Sequence, residues 1–279
     1  MNYTKEIVNG LNIFYRESED RTKPAFVLFH GFPSASHSFR GLIPLLQNDF
    51  YCIAPDYPGF GQSDAPDRKT FDYTFDNIAH IMEAFLIQKK LTSFYMYVFD
   101  YGAPVGFRIA SWHPDWIKGI VSQNGNVYEE GLGKKWEARK DFWEHPTEEK
   151  RNIYRSAFAS QTIVGQYTFG TEPGKVSPDG YTLDISYNTG EEYAQRQLDL
   201  IFDYRNNVKL YPVFQEYLRK YQPALLAAWG KNDPSFIYQG ALAFKKDIPQ
   251  ARVEFLNSGH FALETHAVEI AALIKEEFS

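Results

Sequence analysis

Cysteine is nearly absent from this sequence, since Cys52 is the only one among 279 residues. One cysteine cannot build an internal disulfide framework, and it rules out the paired Cys-x-x-Cys spacing that is typical of zinc sites. Cys52 lies in an apolar run, where a small buried residue is expected. The sequence therefore predicts a fold that depends on its core, without disulfides or a structural metal.

Long apolar runs and basic clusters are missing as well. No run of 18 apolar residues occurs, and the N-terminal stretch MNYTKEIVNG lacks the apolar segment of a signal peptide. We therefore expect a soluble, cytoplasmic protein. The net charge is -6, with 29 basic and 35 acidic residues, which argues against nucleic acid or an anionic membrane as a partner. A small molecule is the expected partner, and the oligomeric state, including a homodimer, stays open.

Apolar and aromatic residues are plentiful. Hydrophobic residues make up 44% of the chain and aromatic ones 17%, enough for a sizeable core. By default these rings fill the core, and the alternative is that some line an apolar pocket.

Strand and helix patterns alternate along the first part of the chain and again near its end. Asn9-Gly10 joins two short alternating runs, which is a strong hairpin signal. Strands are predicted at 3–9, 11–18, 24–29, 50–54, 94–99, 117–122, 224–229 and 252–256, and helices at 36–47, 74–90, 104–112, 211–220, 236–246 and 263–278. This alternation predicts an α/β fold, with a mostly parallel, doubly wound sheet covered by helices on both faces.

The rhythm changes between residues 127 and 206. This stretch is charged and aromatic, with helical patterns at 134–143, 147–159 and 191–204 and a Gly/Pro-rich loop at 170–184. We interpret it as an inserted helical cap. The predicted core domain is then 1–126 together with 207–279.

The strand Phe94–Phe99 is followed at once by Asp100-Tyr101-Gly102 and a helical pattern. Small residues at a sharp strand-to-helix turn are typical of a nucleophile elbow, here with Asp in place of the commoner Ser. The alternative is that Asp100 only caps the helix, since Asp is among the best N-cap residues. On this stretch alone the two interpretations are about even.

Other strand ends decide between them, because ligands of open parallel sheets sit outside the carboxyl ends of the strands. Asp233 and His260 follow the last two strands, so the order is Asp100, Asp233, His260, which is that of nucleophile, acid and base. Asp233 alone would be a helix cap and His260 alone a solvated loop residue. Their joint placement favours catalysis. His30 and Asp56, at two further strand ends, are expected to brace loops by bonding to backbone.

These motifs resemble those of the α/β-hydrolase fold superfamily over essentially the whole chain, in its epoxide hydrolase and haloalkane dehalogenase branch. The matching strings are HGFP at 30–33, DYPGFGQSD at 56–64, DYGAPVGFRIA at 100–110, WGKND at 229–233 and GHFALE at 259–264. The resemblance implies that Asp100 attacks an alkyl carbon and forms an ester. His260, oriented by Asp233, would then activate the water that hydrolyses this ester. The backbone N–H groups of Phe32 and Tyr101 would form the oxyanion hole, and no metal or cofactor is needed.

The residues leave alternatives for the leaving group open. Dehalogenases of this branch typically bind the halide through a Trp after the nucleophile and through an Asn of the HG loop or a Trp of the cap. This chain has Tyr101 and Phe32 at the first two positions, so only Trp136 or Trp143 of the cap would serve. Epoxide hydrolases protonate the departing oxygen with cap tyrosines, for which Tyr167 is our first choice and Tyr204 our second. We therefore predict an epoxide hydrolase for an apolar or aromatic epoxide. The alternatives are a haloalkane or haloacid dehalogenase and a ligand-binding protein without catalysis.

Overall fold

The computed structural model describes residues 1–278, which form an eight-stranded sheet with helices on both faces. The strands are β1 (Asn2–Val8), β2 (Leu11–Glu17), β3 (Ala25–Phe29), β4 (Tyr51–Pro55), β5 (Phe94–Phe99), β6 (Ile117–Gln123), β7 (Ala224–Gly230) and β8 (Arg252–Leu256). Their spatial order is β1-β2-β4-β3-β5-β6-β7-β8. Strands β3 to β8 pair in parallel, whereas β1 pairs with β2, and β2 with β4, in the antiparallel direction. The predicted fold class is confirmed.

Ten α-helices accompany the sheet in the described chain. They are α1 (Ile43–Leu46), α2 (Phe75–Gln88), α3 (Gly102–Trp112), α4 (Lys135–Glu144), α5 (Glu148–Ile153), α6 (Ser160–Thr168), α7 (Pro178–Tyr187), α8 (Glu191–Tyr221), α9 (Gln239–Asp247) and α10 (Leu263–Phe278). Short 3₁₀ helices cover Ser36–Phe39, Pro114–Trp116, Glu129–Gly131 and Tyr154–Phe158.

Alternating residues of the central strands feed two separate cores. In β3, Val27 and Phe29 belong to the core that also holds residues of α2, α3 and α9. Phe26 and Leu28 point to the other face, where α1 and α10 pack. This period of two is what a strand that is buried on both faces requires. Full burial of each such side chain stabilises the fold by roughly 1.5–3 kcal/mol.

One turn follows its sequence signal, and one predicted helix does not form as a single element. Asn9 and Gly10 both have positive φ, at 48° and 84°, as a two-residue hairpin turn needs. The helix predicted at 36–47 is instead the 3₁₀ helix Ser36–Phe39 followed by the single turn α1. Pro44 stands at the start of α1, where its missing N–H and its ring prevent a continuous helix.

The cap contains more helix than the sequence indicated. Its predicted loop 170–184 ends in α7, and α6 was not predicted at all. The helices predicted at 191–204 and 211–220 form one continuous helix, α8, of 31 residues. The division into a core and a cap at residue 206 remains a prediction, and its boundary falls inside α8.

Candidate active site

The turn between β5 and α3 places Asp100 in an uncommon backbone conformation. Its φ is 49°, which a residue with a side chain adopts only at a cost. The turn is possible because two positions that pack tightly at it, Gly31 and Gly102, are glycines. A Cβ on Gly31 would lie 2.3 Å from the Cβ of Asp100, and one on Gly102 would lie 2.2 Å from the carbonyl oxygen of Phe29. The sharp strand-to-helix turn predicted from the sequence is therefore present.

The two oxygens of the Asp100 carboxylate face different groups. Oδ1 accepts a hydrogen bond of 2.7 Å from the backbone N–H of Phe32. Oδ2 lies 3.6 Å from Nε2 of His260. The side chain of Asp100 is 10% exposed, so the carboxylate is held in place yet remains reachable from one side.

His260 is held by the second carboxylate. Its Nδ1 lies 2.6 Å from Oδ2 of Asp233, and the side chain of Asp233 is fully buried. The other oxygen, Oδ1, accepts the backbone N–H of Ser235 at 2.7 Å. Asp233 thus bonds both the turn after β7 and the imidazole. It does not cap a helix, since α9 begins only at Gln239.

Asn124 completes this arrangement, and sequence reasoning missed it. Its Nδ2 donates to Oδ2 of Asp233 at 2.9 Å, and its Oδ1 accepts the N–H of Gly230 at 2.9 Å. The residue follows β6 directly and has a positive φ of 47°. The strand-end rule that pointed to Asp100 would have pointed to Asn124 as well, had it been applied to β6.

The carboxylates on either side of His260 control its charge. Burial by itself lowers the pKa of the imidazole, but Asp233 and Asp100 outweigh this effect and raise the pKa to about 10. His260 is therefore an imidazolium at neutral pH, and it forms an ion pair with both carboxylates.

This raised pKa makes a prediction about stability. Because the pKa of His260 in the folded protein lies above the ordinary histidine value of 6.5, the stabilisation is complete below pH 6.5 and is lost as the pH rises through about 10. As the pH rises between these limits, the unfolding free energy of wild type should fall by a few kcal/mol more than that of His260→Gln. Urea denaturation of both proteins at several pH values measures the difference. Parallel curves would show that His260 is neutral at pH 7.

His30 and Asp56 brace the loops around the site, as the sequence predicts. The ring of His30 bonds to the carbonyl of Gly31 and to the N–H of Tyr57, and burial lowers its pKa to about 3. The carboxylate of Asp56 accepts the backbone N–H groups of Ser36 and Gln62 at 2.7 and 2.8 Å. Neither residue lines the pocket described next.

A cavity of about 370 Å³ opens above Asp100. Strand-end residues and cap residues share its wall. From the core these are Phe32, Asp100, Tyr101, Asp233, Pro234, Ser235 and His260, and from the cap they are Lys135, Trp136, Arg139, Ala157, Thr162, Gly165, Gln166 and Phe169. Its size suits a small organic molecule.

Two of the four cap candidates are not placed to contact a ligand. Tyr167, the first choice for an acid, lies outside the wall of this cavity, stacks on Phe261 and donates to Asp184 at 2.5 Å. Trp143 is also outside the wall and donates its indole N–H to the carbonyl of Ile201 at 3.1 Å. Both predictions are corrected for the same reason, because cap packing uses the polar atom of each ring.

Of the other two candidates, one lines the cavity and the other lies behind its wall. Trp136 lines it, although its indole N–H donates to the carbonyl of Ser235 at 3.0 Å. Tyr204 is fully buried behind it, with its ring 4.7 Å from that of Trp136 and 6.0 Å from that of Tyr101. Lys135 and Arg139, which the sequence analysis did not single out, also line the cavity.

Within residues 1–278, no group of three His, Cys, Asp or Glu side chains is arranged to hold a metal ion. None of the helices in that range is both long and apolar enough to cross a membrane.

The fold is that of an α/β hydrolase, and the sharp turn after β5 carries a carboxylate, that of Asp100. The profile of the α/β-hydrolase fold matches residues 24–267. The chain is 41% identical to an uncharacterized hydrolase from Saccharomyces cerevisiae, over 98% of this chain and 96% of that protein. It is 34% identical to a haloalkane dehalogenase from Mycobacterium marinum, over 95% of this chain and 88% of that one.

A solved structure agrees in fold. The haloalkane dehalogenase DbeA from Bradyrhizobium elkani superposes with a TM-score of 0.83 at 21% identity, covering 99% of this chain and 96% of that one. The chain belongs to the α/β-hydrolase fold family, in the branch that includes the haloalkane dehalogenases, and it is a hydrolase.

Proposed function

We propose that this hydrolase opens an epoxide by forming an ester on Asp100. The observation that carries the proposal is the two-sided placement of the Asp100 carboxylate. Oδ1 accepts the N–H of Phe32, while Oδ2 faces His260 at 3.6 Å. One oxygen is thus held where an oxyanion would form, and the other is directed into the cavity as a nucleophile.

The charge of His260 links the two chemical steps. Before the reaction, Asp100 and Asp233 keep the imidazole protonated. When Oδ2 of Asp100 bonds to carbon, the carboxylate loses its charge, and the pKa of His260 falls. The imidazolium then releases its proton to the solvent, which replaces the proton that the departing oxygen has taken from a phenol. The neutral imidazole afterwards takes a proton from a water, which attacks the carboxyl carbon of Asp100. We propose that the N–H groups of Phe32 and Tyr101 stabilise the resulting oxyanion, each by about 3 kcal/mol.

Two phenols near Asp100 support an epoxide as the substrate. Burial raises the pKa of Tyr101 and of Tyr204, and the charge of Asp100 raises both further. Both groups therefore keep their protons at neutral pH and can donate hydrogen bonds to the departing oxygen. An alkoxide needs such donors, because it leaves as a strong base.

A haloalkane dehalogenase is the second candidate. The Mycobacterium marinum relative bears that name, as do two further relatives of this chain, and this favours the second candidate. Against it, the indole N–H groups of Trp136 and Trp143 are both bonded to backbone carbonyls, so neither is available to solvate a halide without rearrangement.

A single-turnover experiment in water enriched in heavy oxygen tests the proposed ester. Enzyme in excess is mixed with styrene oxide, and the diol and the Asp100 peptide are analysed by mass spectrometry. We expect the first diol to be unlabelled, because its new oxygen comes from Asp100, and the label to appear in the Asp100 peptide. Label in the diol alone would show direct attack by water. Halide release from haloalkanes with no diol from any epoxide would favour the second candidate.

Removal of the hydroxyl groups of Tyr101 and Tyr204 tests whether the leaving group is an epoxide oxygen. Tyr101→Phe and Tyr204→Phe should each slow epoxide opening, by about 10²-fold when both are combined, since general acid catalysis contributes on this scale. Stopped-flow measurement of ester formation provides the rate. Tyr167→Phe is the matched control, because its hydroxyl bonds to Asp184 outside the cavity wall. Equal losses in all three variants would indicate general loosening of the cap.

A further inference from the structure

Two cations of the cap face the cavity from one side of helix α4. Lys135 and Arg139 are four residues apart, which places them on the same helical face, and both line the cavity above Asp100. Within residues 1–278, neither forms a salt bridge or a side-chain hydrogen bond. Four of the other eight Lys and Arg residues of the cap are paired with a carboxylate, for example Arg151 with Asp199 and Arg155 with Glu191.

The carboxylates in the cavity wall already have partners. Asp233 accepts from His260, Ser235 and Asn124, and Asp100 is bonded by Phe32 and faces His260. The charge of Arg139 nevertheless reaches the site, since it opposes the rise in the pKa of Tyr101. The cavity wall thus includes two cationic groups beyond the catalytic set, the half-buried Arg139 and the exposed Lys135, and no acidic residue of the wall neutralises them.

The guanidinium of Arg139 is held by aromatic rings. It lies 4.4 Å above the ring of Trp136 and 5.8 Å from the centre of the Tyr154 ring. A guanidinium that stacks through its face keeps its N–H edges free for a planar anion. Because Trp136 also lines the cavity, its contact with Arg139 holds the cation at the cavity wall.

We infer that the substrate carries a carboxylate at the end remote from its reacting carbon, and that Arg139 binds this group with help from Lys135. The inference rests on the proposed function, because it specifies the substrate of the same site. An Arg edge and a carboxylate match in geometry and form two parallel hydrogen bonds. The protein as a whole is anionic, with a net charge of -6, so these two cations are what makes the cavity favourable for an anion.

The experiment compares two epoxides of nearly equal shape. One is styrene oxide with a para-carboxylate, and the other is its para-carboxamide analogue. In wild type we expect kcat/KM to be about 10- to 100-fold higher for the carboxylate, the range that charged hydrogen bonds produce. Arg139→Gln should abolish this ratio through a rise in KM for the carboxylate, and Arg139→Lys should retain part of it.

Lys134→Gln is the matched control. Lys134 precedes α4, is exposed and does not line the cavity, so its substitution removes the same charge from the same part of the cap. It should leave the ratio unchanged. If Arg139→Gln affects both epoxides equally, Arg139 only supports Trp136 by stacking, and the inference is wrong.

Binding measurements make the inference testable apart from the chemistry. An Asp100→Asn protein, which cannot form the ester, should bind the carboxylate epoxide about 10- to 100-fold more tightly than the carboxamide in calorimetry. The additional change Arg139→Gln should remove this preference. If the preference exists but no epoxide reacts with wild type, the proposed function is wrong and the carboxylate-binding role of Arg139 is supported. If epoxides react and no preference exists, only the carboxylate-binding role of Arg139 is wrong.

Discussion

Asp100→Asn should abolish epoxide hydrolysis while leaving the fold intact. The amide is neutral and a poor nucleophile, so the ester cannot form. We expect kcat to fall by at least about 10⁴-fold, as happens when other nucleophiles of catalytic triads are removed. The amide has the same shape as the carboxylate, and its oxygen can still accept the N–H of Phe32, which donates to Oδ1 in the structure. Turnover of styrene oxide by freshly purified protein measures the loss.

The main control for this variant is its mass. Asn in a strained turn beside a histidine can deamidate back to Asp, so intact mass must be recorded before and after the assay. A thermal unfolding midpoint close to that of wild type would show that the turn at φ 49° tolerates the amide. Full activity in protein that has not deamidated would exclude Asp100 as the nucleophile.

His260→Gln should trap the ester that wild type hydrolyses. The second step needs a base near Asp100, and Nε2 of His260 lies 3.6 Å from its carboxylate. Without the imidazole, ester hydrolysis should slow by about 10³- to 10⁴-fold, while attack on the epoxide continues. Intact mass should then rise by the mass of one epoxide molecule, and fragmentation should locate the adduct on Asp100.

The double variant Asp100→Asn/His260→Gln is the control for adventitious alkylation. It retains every other nucleophilic side chain, so an adduct that persists in it does not come from the proposed step. An adduct on a residue other than Asp100 in the single variant would also contradict the mechanism. Lack of any adduct with a panel of epoxides and haloalkanes would count against an alkyl ester altogether.

The sheet and the group of Asp100, Asp233 and His260 could be predicted from the sequence because their signals are local. Each central strand is a run of apolar residues bounded by turn residues, and β5 and β8 have the predicted bounds. The carboxyl ends of parallel strands meet at one edge of the sheet, so the strand order alone predicts that Asp100, Asp233 and His260 lie close together. Asn124 obeys the same rule and could have been found in the same way.

The cap was harder to predict for physical reasons. Helices α4 to α7 are short, and α7 follows Ser177 and begins with Pro178, a start signal that a loop shares. Tyr167 and Tyr204 look alike in the sequence, yet one bonds to Asp184 and the other lies behind Trp136. Which face of a cap helix lines the cavity depends on packing between distant segments, and periodicity in a polar helix does not indicate this. Arg139 and Lys135 were missed for the same reason.

Helix α8 determines how a cap from a relative can be transplanted into this protein. Its 31 residues run unbroken for about 46 Å, from cap residues such as Tyr204 to core residues such as Phe214. One residue more or fewer at a junction within it would rotate everything beyond by about 100°. A chimaera must therefore be spliced in helical phase, or Tyr204 will turn away from Asp100 even though every residue of both halves is unchanged.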